Sequence, residues 1–175
     1  MVGYAADKGL YDIVKVLIDA GASVNGQNNN GYTPLMNAVS EGYYKVVMAL
    51  LFAGAKKELR DKGGYTALML AAYHGYLDSV KALVEKGAKV NVSNNNGETT
   101  LMKAVEENRI DVVKYLLKKG AKIDATNKDG DSAIDIANIK NHTLLREVLM
   151  EAEKKERLKR YEKKERNPDA DDGDV

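Results

Sequence analysis

GYTPLMNAVSEGYYKVVMALLFAGA, residues 31–55, returns 33 positions later as GYTALMLAAYHGYLDSVKALVEKGAKVN, residues 64–91, and this recurrence decides the fold. A 33-residue shift superposes most of the chain on itself, as in an array whose units bury apolar surface against one another. The rows in register are Thr33, Thr66, Thr99 and Ser132; Leu35, Leu68, Leu101 and Ile134; and Ala38, Ala71, Ala104 and Ala137. An earlier partial copy sets Val2 and Ala5 on the last two rows.

Each row has a physical reason. The segments from Asn28 to Gly31, Asp61 to Gly64, Asn94 to Gly97 and Asn127 to Gly130 have turn composition: Asn and Asp bond locally through their side chains, and Gly adopts positive φ. They read as tips between units. The threonine and serine row supplies helix N-caps, and Pro34 after Thr33 suits a first helical position, where its missing N–H costs nothing. The short first helix then stops at Gly9, Gly42, Gly75, Asn108 and Asn141, residues that tolerate the left-handed conformation past a C-terminus. A second helix follows, with an apolar face at Ile13, Val14, Leu17 and Ile18 that recurs at Val46, Val47, Leu50 and Leu51 and at Val112, Val113, Leu116 and Leu117. It stops at Gly21, Gly54, Gly87 and Gly120.

The two quoted stretches resemble the ankyrin repeat in their Thr-Pro-Leu, Ala-Ala, Gly and Gly-Ala signatures, over residues 1 to about 150. The resemblance implies an all-α repeat solenoid: paired antiparallel helices with β-turn tips in about five repeats, the first truncated and the last capping. The register divides the chain into a partial repeat (1–27), full repeats (28–60, 61–93 and 94–126), a C-terminal capping repeat (127–150), a charged helical extension (151–166) and a disordered acidic tail (167–175). The family usually carries histidine where this chain has Met36, Met69 and Met102, so an inter-repeat hydrogen bond should give way to adaptable apolar packing.

The ends depart from the middle. Met1 falls inside the first helix of the first unit, which therefore lacks its tip and cap. In the last unit Arg146 replaces the valine row with charge, as suits an outer face in water. Glu153 occupies the row of Gly120, so nothing stops the last helix and it should run on, braced by pairs such as Glu151 with Lys155 and Glu156 with Arg160. Leu158 and Tyr161 are too few for a coiled-coil seam, which favours a monomer with a solvated extension.

Composition narrows the chemistry. The 27 basic and 26 acidic residues among 175 nearly cancel, so no single-sign field points to nucleic acid or to anionic membrane. The lysines near the ends of the second helices, Lys86, Lys89, Lys118, Lys119 and Lys122, complement helix dipoles and lack aromatic interleaving. With no cysteine there are no disulfides or thiolate sites. No segment approaches the length of a membrane span, and residues 1–20 lack signal-peptide order. A soluble protein in a cytoplasmic setting is favoured, with a signal removed before Met1 left open. His74 and His142 stand two repeats apart, too far for a catalytic pair, and read as surface or capping residues. The Asn127 turn fails as a calcium loop, because counting back from Gly130 puts Ala125 first and Ile136 twelfth. No catalytic residue, metal site or cofactor is expected.

The expected function is a non-catalytic scaffold that binds a partner protein and perhaps masks its working surface. A small-molecule or sterol-type ligand in the repeat groove and an enzyme are the alternatives. By resemblance, partners would meet the tips and the solvent side of the first helices. The candidate contacts are Tyr32, Lys62, Tyr65, Tyr73, His74, Glu98, Glu106, Glu107, Asp129 and Asp131. Tyrosines dominate the second and third units and acids the fourth and fifth, which suggests an aromatic anchor beside an acidic steering region. The tyrosines would equally suit half-buried packing against neighbouring turns.

Overall fold

The computed structural model describes residues 1–166; the acidic tail expected over 167–175 lies outside them. Five helix pairs follow one another: α1 (Val2–Asp7) and α2 (Tyr11–Asp19), α3 (Pro34–Ser40) and α4 (Tyr44–Phe52), α5 (Ala67–His74) and α6 (Leu77–Glu85), α7 (Thr100–Glu106) and α8 (Ile110–Lys118), α9 (Ala133–Ile139) and α10 (Thr143–Arg166). First helices pack on first helices and second on second, so the chain is an all-α repeat solenoid. The alanine row makes the close stacking possible, since Ala38, Ala71, Ala104 and Ala137 are fully buried between neighbours. Leu35, Leu68 and Leu101 fill the layers between them. The 49% exposed Ile13 is the exception, because its row is buried in later repeats (Val46, Ser79, Val112) and nothing precedes α2 to cover it.

Caps explain where the first helices begin. The hydroxyls of Thr33, Thr66, Thr99 and Ser132 accept from the amides of Met36, Met69, Met102 and Asp135 at 3.2 to 3.4 Å. Met36 and Met102 return the bond: their Sδ atoms accept from the Thr33 and Thr99 amides at 3.5 and 3.3 Å. These methionines are buried, yet they do more than the apolar packing read from sequence. Each completes a reciprocal cap that a carboxylate normally supplies, as Asp135 does for Ser132 at 2.9 Å.

The helix-ending residues have positive φ throughout, including Asn108 at 56° and Asn141 at 58°. At Gly42 and Gly75 the conformation is only half the requirement. A Cβ on Gly42 would stand 2.9 Å from the Tyr76 ring, and one on Gly75 would stand 2.5 Å from the Arg109 side chain. Asparagine is admitted at position 108 where the covering residue is His142, whose Nε2 lies 3.1 Å from the Glu106 carbonyl.

Two ladders join the repeats at their opposite ends. At the tips, the amides of Lys62, Asn95 and Lys128 donate to the carbonyls of Asn30, Gly63 and Asn96 at 2.9 to 3.0 Å. Behind the second helices, Asn25, Glu58 and Asn91 accept through their side chains from the amides of Lys56, Lys89 and Lys122 at 2.8 to 3.0 Å. Asp124 continues that second row. It meets Arg160 of α10 at 3.7 Å, so Arg160 does not make the pairing with Glu156 expected within the helix. The expected Glu151–Lys155 pair does form, at 2.7 Å.

One buried group is out of keeping with its row. Thr100 stands where the other repeats have Pro34, Ala67 and Ala133; it is fully buried, and its hydroxyl has no hydrogen-bond partner among the described residues. A buried unsatisfied hydroxyl costs about 1–3 kcal/mol. Thr100→Val keeps the shape and removes the hydroxyl, so a gain of about 1 kcal/mol is expected in urea unfolding. An unchanged or lower urea midpoint would show that the hydroxyl is satisfied in solution.

Candidate functional site

The tips and the first helices present one face, and its composition follows the register. The tip row reads Tyr32, Tyr65, Glu98, Asp131, and the row near the helix ends reads Ser40, Tyr73, Glu106, Ile139. Asn28, Asp61, Asn94 and Asn127 set the tips, each accepting through its side chain from the amide four residues on at 2.8 to 3.0 Å. Tip side chains are therefore carried on backbone held within each tip and, through the ladder, between tips.

Lys103, absent from the residues singled out in the sequence, joins the aromatic and acidic halves of this face. Its side chain is 7% exposed, although it sits on a first helix whose tip-side face meets solvent. Its ammonium bonds Glu106, lies 3.3 Å from Glu98 Oε1, and stands 5.8 and 5.4 Å from the ring centres of Tyr65 and Tyr73. Glu98 also accepts from Asn94 Nδ2 at 2.6 Å and from the Tyr65 hydroxyl at 3.4 Å. Lys140 reaches the other oxygen of Glu106 at 3.8 Å. The chain of contacts thus crosses three repeats. The signal available in the sequence was a lone lysine inside the apolar run Leu101, Met102, Ala104, Val105, all of which are buried.

The electrostatics follow from these contacts. Burial alone would push the Lys103 ammonium down, but the hydrogen bond and charge of Glu106, with Tyr65 and Glu98, outweigh it and hold the pKa above the ordinary lysine value. Glu98 is the mirror case. Burial would raise its carboxyl, yet the Asn94 hydrogen bond and Lys103 bring it below the ordinary range.

Of the candidate residues, the structure brings together Tyr65, Tyr73, Glu98 and Glu106 around Lys103. His74 adjoins them: its ring meets Tyr73 edge-on at 5.2 Å and stacks on Tyr76 at 5.6 Å. Burial, and then the Arg109 charge, push its pKa below the ordinary histidine value, which favours a neutral imidazole. Tyr32 stands apart, half-buried against the core, where burial and the Asp61 charge push its hydroxyl up. Lys62 and Asp129 are exposed on their tips, and Asp131 and Glu107 are half-exposed. Glu107, Asp129 and Asp131 enter no ion pair among the described residues. No described helix is long and apolar enough to cross a membrane.

Comparison with known proteins supplies the remaining finding. A family model described as Ankyrin repeats (3 copies) matches residues 2–94, 49–129 and 90–159. Comparison with curated proteins gives no match.

Proposed function

The chain belongs to the ankyrin-repeat family, whose repeats generally mediate protein–protein interactions and whose members are typically non-catalytic, and from this premise we propose a scaffold that grips a partner protein on the tip and first-helix face. The observation that carries the proposal is the Lys103 knot. It holds Tyr65 and Tyr73 in place from one side while their other surfaces stay partly open to solvent. Aromatic side chains immobilised before binding lose little entropy when they dock, which is how a few residues come to dominate an interface. Glu107, Asp129 and Asp131, without ion-pair partners, supply a field that draws in a complementary surface. A partner gripped over this length has its own contact surface covered, so the scaffold also acts as a masking module.

The proposal is tested by identifying a partner through affinity capture and measuring its affinity for Tyr73→Ala and Tyr65→Phe. Each is expected to bind about tenfold more weakly or worse, that is, by about 1.4 kcal/mol or more. Their melting curves should stay near that of the wild type. Raising salt is expected to slow association through screening of the acidic region. Unchanged affinity in both variants would remove the aromatic anchor from the account.

A further inference from the structure

The second helices present a separate face on the opposite side of each pair, and three of its rows repeat with one exception. In the rows of positions 12, 15 and 19, α2 carries Asp12, Lys15 and Asp19 while α6 carries Asp78, Lys81 and Glu85. Between them α4 carries Lys45, Met48 and Phe52. Phe52 is 72% exposed, in a row otherwise held by Asp19, Glu85 and Lys118. Tyr44, four residues before Met48, is 43% exposed, so Tyr44, Met48 and Phe52 form an apolar line at intervals of four along one helix face. A cleft of 190 Å³ runs beside the line, with Tyr44, Met48 and Ala82 on its apolar side and Asp78, Lys81 and Glu85 on its charged side. This line lies within the stack and does not depend on the open end at Ile13.

Exposing a phenylalanine and a methionine where the other repeats place charge gives up solubility without any gain in core packing. The flanking charges say what would cover them. Both flanks read acid, base, acid, an order that is the same from either end. A second copy laid across this face, parallel or antiparallel, would set acid against acid at the ends and lysine against lysine in the middle. An anionic lipid surface would meet the four carboxylates of Asp12, Asp19, Asp78 and Glu85 around the apolar line. A helix with its own apolar stripe flanked by base, acid, base meets every charge with its opposite and buries Phe52. We infer that the α4 face is a second docking surface, and that its occupant is an amphipathic helix of a partner protein with that charge order.

The experiment measures binding of two labelled synthetic helical peptides to the full chain by fluorescence anisotropy. Both peptides carry a leucine stripe at intervals of three and four; one is flanked by base, acid, base and the other by acid, base, acid. The control variant is Met48→Lys with Phe52→Glu, which restores the charges that the other repeats carry in these rows and should melt like the wild type. The single variant Phe52→Asp serves if the double variant does not fold. The first peptide is expected to bind wild type at least about tenfold more tightly than the second, and to lose that binding on the variant. Equal binding of the two peptides, no binding of either, or binding unaffected by the variant overturns the inference. So does concentration-dependent dimerisation of the protein, or its sedimentation with phosphatidylserine vesicles, that the variant abolishes, since these assign the face to a second copy or to lipid. The Tyr73→Ala variant is expected to bind the first peptide normally, which separates this face from the one proposed above.

Discussion

Gly64→Ala is expected to lower the stability of the stack by about 3 kcal/mol, whereas Gly130→Ala, at the same place in the last tip, is expected to cost about 1 kcal/mol. The two glycines have nearly the same backbone conformation, with φ of 82° and 88°, so the intrinsic strain of a side chain is the same at both. Their surroundings differ. A Cβ on Gly64 would stand 2.7 Å from the Asn95 amide nitrogen and 2.5 Å from its side-chain oxygen, while one on Gly130 would meet nothing within 4 Å. Asn95 cannot move aside cheaply, because its amide donates to Gly63 and its side chain to the Lys62 carbonyl. The difference between the variants therefore measures the tip ladder itself. Urea midpoints of the two proteins decide it, and equal losses would mean that the tips are not held against one another in solution.

Lys103→Met is expected to cost about 2–3 kcal/mol at neutral pH, below the ~3–5 kcal/mol for breaking a fully buried pair because the carboxylates it leaves behind keep some water. Their side-chain exposures are 20% for Glu98 and 27% for Glu106. The pH dependence gives the sharper check. The Glu98 carboxyl is lowered in the folded state, so its contribution is present above the ordinary value of 4.5 and is lost as pH falls through the folded value. The Lys103 ammonium is raised, so its contribution is present below 10.5 and is lost as pH rises through the folded value. The gap in melting temperature between wild type and variant should be widest across the neutral range and should narrow on acidification, as wild type loses the pairs and the variant is relieved of two facing carboxylates. A gap that stays constant down to pH 3 would show that Lys103 contributes packing and not charge.

The repeat was legible because its determinants are local. Thr33 and its equivalents cap, Gly42 and its equivalents turn, and Leu35 and its equivalents fill a layer, whatever lies in the next repeat. Asparagine at positions 108 and 141 could be read as a helix stop because only a few residues tolerate that conformation. The centre of the candidate site was hidden for the opposite reason. The row of Lys103 reads Asn37, Leu70, Lys103, Ile136, which has no shared chemistry, and the partners of Lys103 come from its own tip, its own helix end and two rings of the preceding repeat. No spacing rule links those positions. Arg160 was misassigned on similar grounds, since helical spacing offered Glu156 while the fold offered Asp124. The methionine sulfurs show a third limit: side-chain type suggested apolar filling, but the direction of the side chain turned Met36 and Met102 back onto their own caps.

The ladder behind the second helices has a direction, since each unit offers an acceptor and the next supplies an amide. A structure of that kind can be extended indefinitely by adding identical units, and stacked modules that leave such an end open invite chains to join head to tail into fibres. Here the last acceptor, Asp124, is met by a guanidinium carried on α10, and α10 itself runs through the point at which a further unit would have to turn. The final helix is thus a terminator, closing one end of the array to growth.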